Sequence, residues 1–115
     1  MDSILTSIKK LLGIAQECTD FDMDLTIHIN SALMILTQLG VGPENGFTIK
    51  DSRDLWEDFL EGDLSKLEAV RTFVYLKVRL IFDPPSNSAV IESFNRTISE
   101  LEWRLNVAAE SKTNS

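Results

Sequence analysis

Cysteine, histidine and tyrosine each occur once in this 115-residue chain, and proline occurs only three times. A lone thiol cannot close an internal disulfide, so Cys18 fits a reducing compartment and the fold has to be held by packing. With no basic or histidine neighbour to activate it, Cys18 reads as a small buried or half-buried residue. Basic residues are scarce as well: 11 against 18 acidic ones give a net charge of −7. Gripping nucleic acid needs clustered Lys and Arg to displace counterions, so that function is excluded. No apolar run approaches the roughly 20 residues that span a bilayer, and Met1-Asp2-Ser3 lacks the basic start of a signal peptide. A soluble, intracellular protein without membrane contact is expected. There is no phosphate-cradling glycine loop and no nucleophile elbow.

What is present is apolar surface. At 43% apolar, 115 residues make one compact domain over residues 1–110, followed by a frayed polar tail at 111–115. A chain of this length buries roughly two-thirds of its unfolded surface and needs no metal to fold. The spacing predicts a mainly α fold, a small bundle of about four helices. Asp2 or Ser3 caps a first helix carrying Ile4, Leu5, Ile8, Leu11 and Leu12, and Gly13 stops it. A second, capped by Asp20 or Asp22, puts Leu25, Ile29, Ala32, Leu33, Leu36 and Leu39 on one face, with Ile27 and Met34 on the other.

Residues 41–64 lose this regularity. Gly42-Pro43-Glu44-Asn45-Gly46 is a turn, Phe47-Thr48-Ile49 a candidate extended piece, and Asp54 a candidate cap for one turn bearing Leu55, Trp56, Phe59 and Leu60. A long segment holding Trp and Phe should fold back over the helices. Ser65-Lys66-Leu67-Glu68 matches a capping box and opens a central helix over about 65–82. Its apolar residues form two rows, Leu67/Val70/Val74/Val78/Ile81 and, nearly opposite, Ala69/Phe73/Leu76/Leu80. Pro84 turns the chain, Ser86 or Ser88 caps the last helix at about 88–109, and Val90, Ile91, Phe94, Ile98, Leu101, Leu105 and Ala108 form its core stripe. Glu92–Arg96 and Glu100–Arg104 are i,i+4 ion pairs.

Candidate chemistry is thin. Asp20, Asp22 and Asp24 alternate as calcium ligands do, but Leu25 and Ser31 stand where an EF-hand needs Gly and Glu, so they serve the helix start instead. His28, beside Leu25, Ala32 and Ile35, reads as a hydrogen-bonded residue at the core edge, since no triad or metal spacing surrounds it. Asn95-Arg96-Thr97 matches a glycosylation acceptor by chance. No catalytic, cofactor-binding or metal-binding residue is assigned, and no cofactor is expected. Glu57, Asp58, Glu61 and Asp63 form an acidic cluster, read first as a solvated face.

Trp103 and Val107 resist that plain account. Trp103 lies half a turn from the core stripe, among Arg96, Ser99 and Glu100, and a tryptophan beside arginines is the composition of a protein–protein hot spot. The interface candidates are therefore Trp103, Val107, Arg96 and Arg104, with Ile27 and Met34 on the second helix. The competing account folds the Trp56 loop over Trp103 within one subunit.

Phe73-Val74-Tyr75-Leu76-Lys77-Val78-Arg79-Leu80-Ile81-Phe82-Asp83-Pro84-Pro85 and Glu100-Leu101-Glu102-Trp103-Arg104-Leu105-Asn106 resemble the small head–tail connector proteins of tailed bacteriophages and prophages. The Ile4–Leu12 helix, Ile29-Asn30-Ser31-Ala32-Leu33 and Gln38-Leu39-Gly40-Val41-Gly42 are similar too, so the likeness spans Ile4 to Glu110. It implies a helical structural protein without enzymatic activity, made in the host bacterial cytoplasm and located at the head–tail interface of the virion. Such proteins form a cyclic homo-oligomeric ring, on the order of twelve copies. The ring docks on the portal protein, presents a surface to tail-side head-closure or tail proteins, and extends the channel through which DNA is packaged and ejected. DNA passes without specific binding, and the acidic Glu57, Asp58 and Glu61 are candidates for that channel surface. The portal contact is expected after Leu101. Two alternatives stand beside this: another small tail component such as a terminator or head-closure protein, which would be richer in strand, or a helical regulatory protein outside the virion.

Overall fold

The computed structural model describes residues 2–114, with side chains through Glu110. Five α-helices run along the chain: α1 (Ile4–Leu11), α2 (Asp22–Gln38), α3 (Trp56–Phe59), α4 (Leu67–Phe82) and α5 (Ser88–Asn114). This is the expected helical bundle, with the expected irregular excursion between α2 and α4. No strand occurs among the described residues; residues 47–49, the candidate extended piece, pair with no strand, and the one isolated bridge among them joins Ser3 to Leu55. The 27 residues of α5, at about 1.5 Å each, make a rod of about 40 Å that accounts for the longest dimension, 44 Å.

α4 is the central helix, packed against α2 most extensively and also against α5 and α1. Val70, Phe73, Val74, Leu76 and Val78 are buried, which draws on both of its apolar rows. The second row is therefore covered inside one subunit, with Phe73 and Leu76 buried and Ala69 and Leu80 partly buried against the core. Ile81, assigned to the first row, is 59% exposed because it falls in the last turn before the Pro84 break. Val90, assigned to the core stripe of α5, is exposed for the same reason at the other side of that break. At the far end of α5 the buried alanine is Ala109, whose Cβ approaches Gly40, while Ala108 is half-buried.

Several caps differ from expectation. Ser3 behaves as predicted, its Oγ accepting from Thr6 N–H at 3.1 Å, and Gly13 follows the helix with φ +80°. At α2 the cap position falls on Phe21, which offers no side-chain acceptor, and Asp22 is drawn away by Lys9. The Ser65–Glu68 capping box does not form: Asp63 accepts from Ser65 N–H at 3.1 Å and starts a 3₁₀ turn, Leu64–Lys66, so α4 begins at Leu67. Asp54 does not cap α3; its carboxylate folds back onto the N–H groups of Lys50 and Asp51, and Asp58 Oδ2 accepts weakly from Leu55 N–H at 3.4 Å. Asn87, not Ser86 or Ser88, caps α5 by accepting from Ala89 N–H at 2.8 Å. Before α4 and α5 an Asp or Asn displaces serine, as their short side chains close such turns readily. α5 runs on through Asn114, past its expected end at about 109, so the tail expected to fray is helical over 111–114; residue 115 lies outside the described residues.

The excursion does fold back. Ile49, Trp56, Phe59 and Leu60 are buried in the common core. Trp56 Nε1 donates to Ser7 Oγ at 2.7 Å, Trp56 N–H reaches Asp2 O, and Ile4 N–H reaches Asp54 O. Asn30 clamps the loop by donating to Ile49 O at 3.1 Å and accepting from Ile49 N–H at 2.7 Å. Gly42 is required here: at φ +87° a Cβ would lie 2.5 Å from the Phe59 ring.

Lys9 is the buried charge that sequence reasoning overlooked, at 3% exposure. Its ammonium donates to Gln16 O (3.0 Å) and Cys18 O (2.7 Å) and lies 2.9 Å from Asp22 Oδ1, close but off the hydrogen-bonding direction. It pins the loop between α1 and α2 to the bundle, and a buried lysine persists only when paired in this way. Lys9→Met keeps the stem and strands the acceptors; it should cost about 2 kcal/mol, below the range for a fully buried pair because Asp22 is partly exposed. Urea unfolding with hydrogen exchange at residues 14–18 measures this, and an unchanged midpoint would refute it.

Asp51 and Arg53 form an exposed ion pair at 2.7 Å, and the hydrogen bonds from Arg53 lower the Asp51 carboxyl to about 2. Because the folded value is depressed, whatever this pair contributes is present above the ordinary carboxylate range and is lost as pH falls through about 2. In an NMR titration Asp51 should titrate near 2, and in Arg53→Ala it should return toward 3.8.

Candidate assembly surfaces

The residues proposed from sequence fall on two separate surfaces. On α5, Trp103 is 68% and Val107 38% exposed, one turn apart and pointing away from the core residues Ile98, Leu105 and Ala109. Nothing from the excursion covers Trp103, since Trp56 is spent between α3 and α1; the intramolecular account is overturned. Arg104 Nη2 meets Glu100 Oε1 at 2.7 Å and Arg96 Nη1 meets Glu92 Oε1 at 3.8 Å, both in water-exposed side chains. These pairs add little to stability. They hold charged groups beside the indole, in the place where a polar rim surrounds an aromatic anchor.

On α2, Ile27 is 57% and Met34 56% exposed. Met23, 78% exposed and one turn before Ile27, extends the row; its i−4 spacing from Ile27 was the signal for it in the sequence. Two recesses flank this row. One, of about 550 Å³, lies between α2 and the 45–48 loop, with Met34 and Phe47 among its walls. The other, of about 330 Å³, lies beside Met23 and Ile27 against Lys50 and Asp51. Both α2 and α5 bury their inner faces on α4, so the exposed Trp103–Val107 row and the exposed Met23–Ile27–Met34 row, flanked by its two recesses, occupy different surfaces of one subunit.

The remaining singled-out residues form no chemical site. His28 and Cys18 are half-buried, and no hydrogen bond to the His28 ring forms among the described residues, contrary to expectation. Among the described residues there is no group of three or more His, Cys, Asp or Glu able to hold a metal and no helix long and apolar enough to cross a membrane. In the acidic cluster Asp58, Glu61 and Asp63 are exposed and Glu57 half-exposed, along the turn that leaves α3.

An all-helical subunit that leaves two apolar rows exposed has surface suited to contact with other proteins. The family described as "Phage connector protein" matches residues 4–112. The chain belongs to that family, which makes it a structural connector component of the phage particle, working among portal and tail proteins. No curated protein and no solved structure matches it.

Proposed function

We propose that this connector assembles into a cyclic homo-oligomeric ring, on the order of twelve copies, between the portal and the tail-side proteins. One observation carries the reading: the projecting Trp103–Val107 row and the recesses that flank the Met23–Ile27–Met34 row lie on different helices of the same subunit. A face that matches itself gives a dimer, whereas two unlike complementary faces give a head-to-tail contact that closes into a ring when the rotation allows. Seating Trp103 of one copy in a recess beside α2 of the next supplies the buried aromatic anchor that strong interfaces share. Arg96 and Arg104 then lie at the rim. Native mass measurement and electron microscopy of the protein with its portal test the reading. A closed ring on the portal is expected; a protein that stays monomeric with portal present would overturn it.

In that ring the channel surface is assigned to Glu57, Asp58 and Glu61, whose like charge lets DNA slide without adhering. Reversing all three to lysine moves the formal charge from −7 to −1. Rings of that variant should retain DNA during purification in low salt and release it as salt rises. Unchanged retention would remove these residues from the channel. The absence of paired strands among the described residues disfavours the strand-rich terminator or head-closure alternative.

A further inference from the structure

Asn45 is the one asparagine of this chain that a glycine follows, and the pair lines the recess of about 550 Å³ beside α2. Both residues are exposed, in the turn that begins at Gly42. Gly46 holds φ +93°, a left-handed conformation that favours glycine, and nothing lies within 4 Å of where its Cβ would stand. The backbone nitrogen after Asn45 is therefore unshielded by any side chain of its own. No hydrogen bond engages the Asn45 amide among the described residues, so it is free to turn toward that nitrogen. Other asparagines are constrained. Asn30 clamps Ile49, Asn87 caps α5, and Asn95 and Asn106 lie inside α5, where the next backbone N–H is bound in the helix. One bond opposes reaction at Asn45: Gly46 N–H donates to Pro43 O at 2.9 Å and closes the turn. An exposed turn with few buried contacts opens locally at little cost. Every residue lining the recess is uncharged, with Met34 and Phe47 as its apolar walls.

We propose that Asn45 is a self-modification site, at which the chain turns a neutral amide into a carboxylate without an enzyme. The Gly46 backbone nitrogen gives up its proton and attacks Asn45 Cγ. An N–Cγ bond forms and the Cγ–Nδ2 bond breaks, so Nδ2 leaves as ammonia with a proton equivalent to the one Gly46 lost. The product is a cyclic succinimide, which water then opens. Cleaving its N–Cγ bond gives aspartate; cleaving the bond from nitrogen to the Asn45 backbone carbonyl carbon gives isoaspartate. Water is consumed and ammonia released, with no oxidation or reduction. The result is one negative charge on a recess wall that had none, in a chain already at −7. On the head-to-tail reading above, on which this consequence rests, a modified subunit is a poorer seat for Trp103. Arg96 and Arg104 arrive with the indole already matched by Glu92 and Glu100, so the new carboxylate is desolvated without a partner.

The test holds the full chain in warm, mildly alkaline buffer, then weighs its peptides and labels them with an isoaspartyl methyltransferase. The peptide containing Asn45 should gain the mass difference between an amide and an acid, and accept methyl label, before any peptide carrying Asn30, Asn87, Asn95 or Asn106. Asn45→Gln, whose longer side chain needs a larger ring, should stay unmodified. An unchanged mass at residue 45 would overturn the proposal. So would aspartate without isoaspartate, which marks direct hydrolysis. Ring assembly on the portal reads the consequence: Asn45→Asp should assemble several-fold more weakly than Asn45→Gln, and equal assembly would overturn that part. Should the unmodified chain form no ring, the ring reading fails, while the mass and label results still decide the chemistry at Asn45.

Discussion

Replacing Trp103 with alanine is expected to abolish ring assembly while leaving the subunit's thermal unfolding nearly unchanged. The indole is 68% exposed and touches no core, so its loss from the lone subunit should stay within about 0.5 kcal/mol. At an interface, a tryptophan anchor contributes about 2–4 kcal/mol, which weakens each contact by roughly 30- to 1,000-fold, and a ring repeats that loss at every joint. Sedimentation on the portal-bound complex and calorimetry of the free subunit read the two effects separately; an equal loss of both would reject the interface. A mixing experiment sharpens it. Ile27→Ser disables the α2 row and Trp103→Ala the α5 row, so each variant alone should fail to assemble. In a head-to-tail arrangement an equimolar mixture retains one intact contact per pair and should yield a heterodimer and nothing larger. A self-matching interface predicts no such species.

Trp56→Ala should do the reverse, costing stability rather than assembly. Trp56 is 1% exposed, its indole N–H bonds Ser7, and its backbone N–H ties the excursion to Asp2. Removing a buried tryptophan costs about 3–5 kcal/mol, a large fraction of the 5–15 kcal/mol that holds a domain folded. Released with it would be the packing of Phe59 and Ile49 over α1 and α2. Urea unfolding should show the full loss, and hydrogen exchange should show residues 47–60 opening first. A loss below about 1 kcal/mol would mean the excursion is held by the Asn30 clamp instead.

The two tryptophans illustrate where sequence reading succeeds and stops. Trp103 could be placed because a long helix has a fixed angular repeat, so residues half a turn from the core stripe must point outward. Trp56 could not, because no periodicity runs through residues 41–64, and its partner Ser7 lies 49 positions away. The same limit applies to Lys9, whose acceptors are two loop carbonyls and whose ion-pair partner is a carboxylate at the start of another helix. It applies again to Arg71, on α4, brought to Lys10 and Ser52 only by folding.

Pattern and composition alone determined the helical class, the rough span of each long helix, the outward rows at Trp103 and Ile27, and the likeness to phage connectors. Those are local properties, written in spacings of three, four and seven. Which apolar rows remain exposed was a tertiary matter: the second row of α4 was sequestered by its neighbours, while Met23 was left outside. Choice of caps was tertiary too, since Asp22 could answer either its own helix or Lys9, and the buried ammonium won. A residue's face on its helix follows from its own chain geometry, but what that face meets depends on residues far away in sequence, and only folding brings those together.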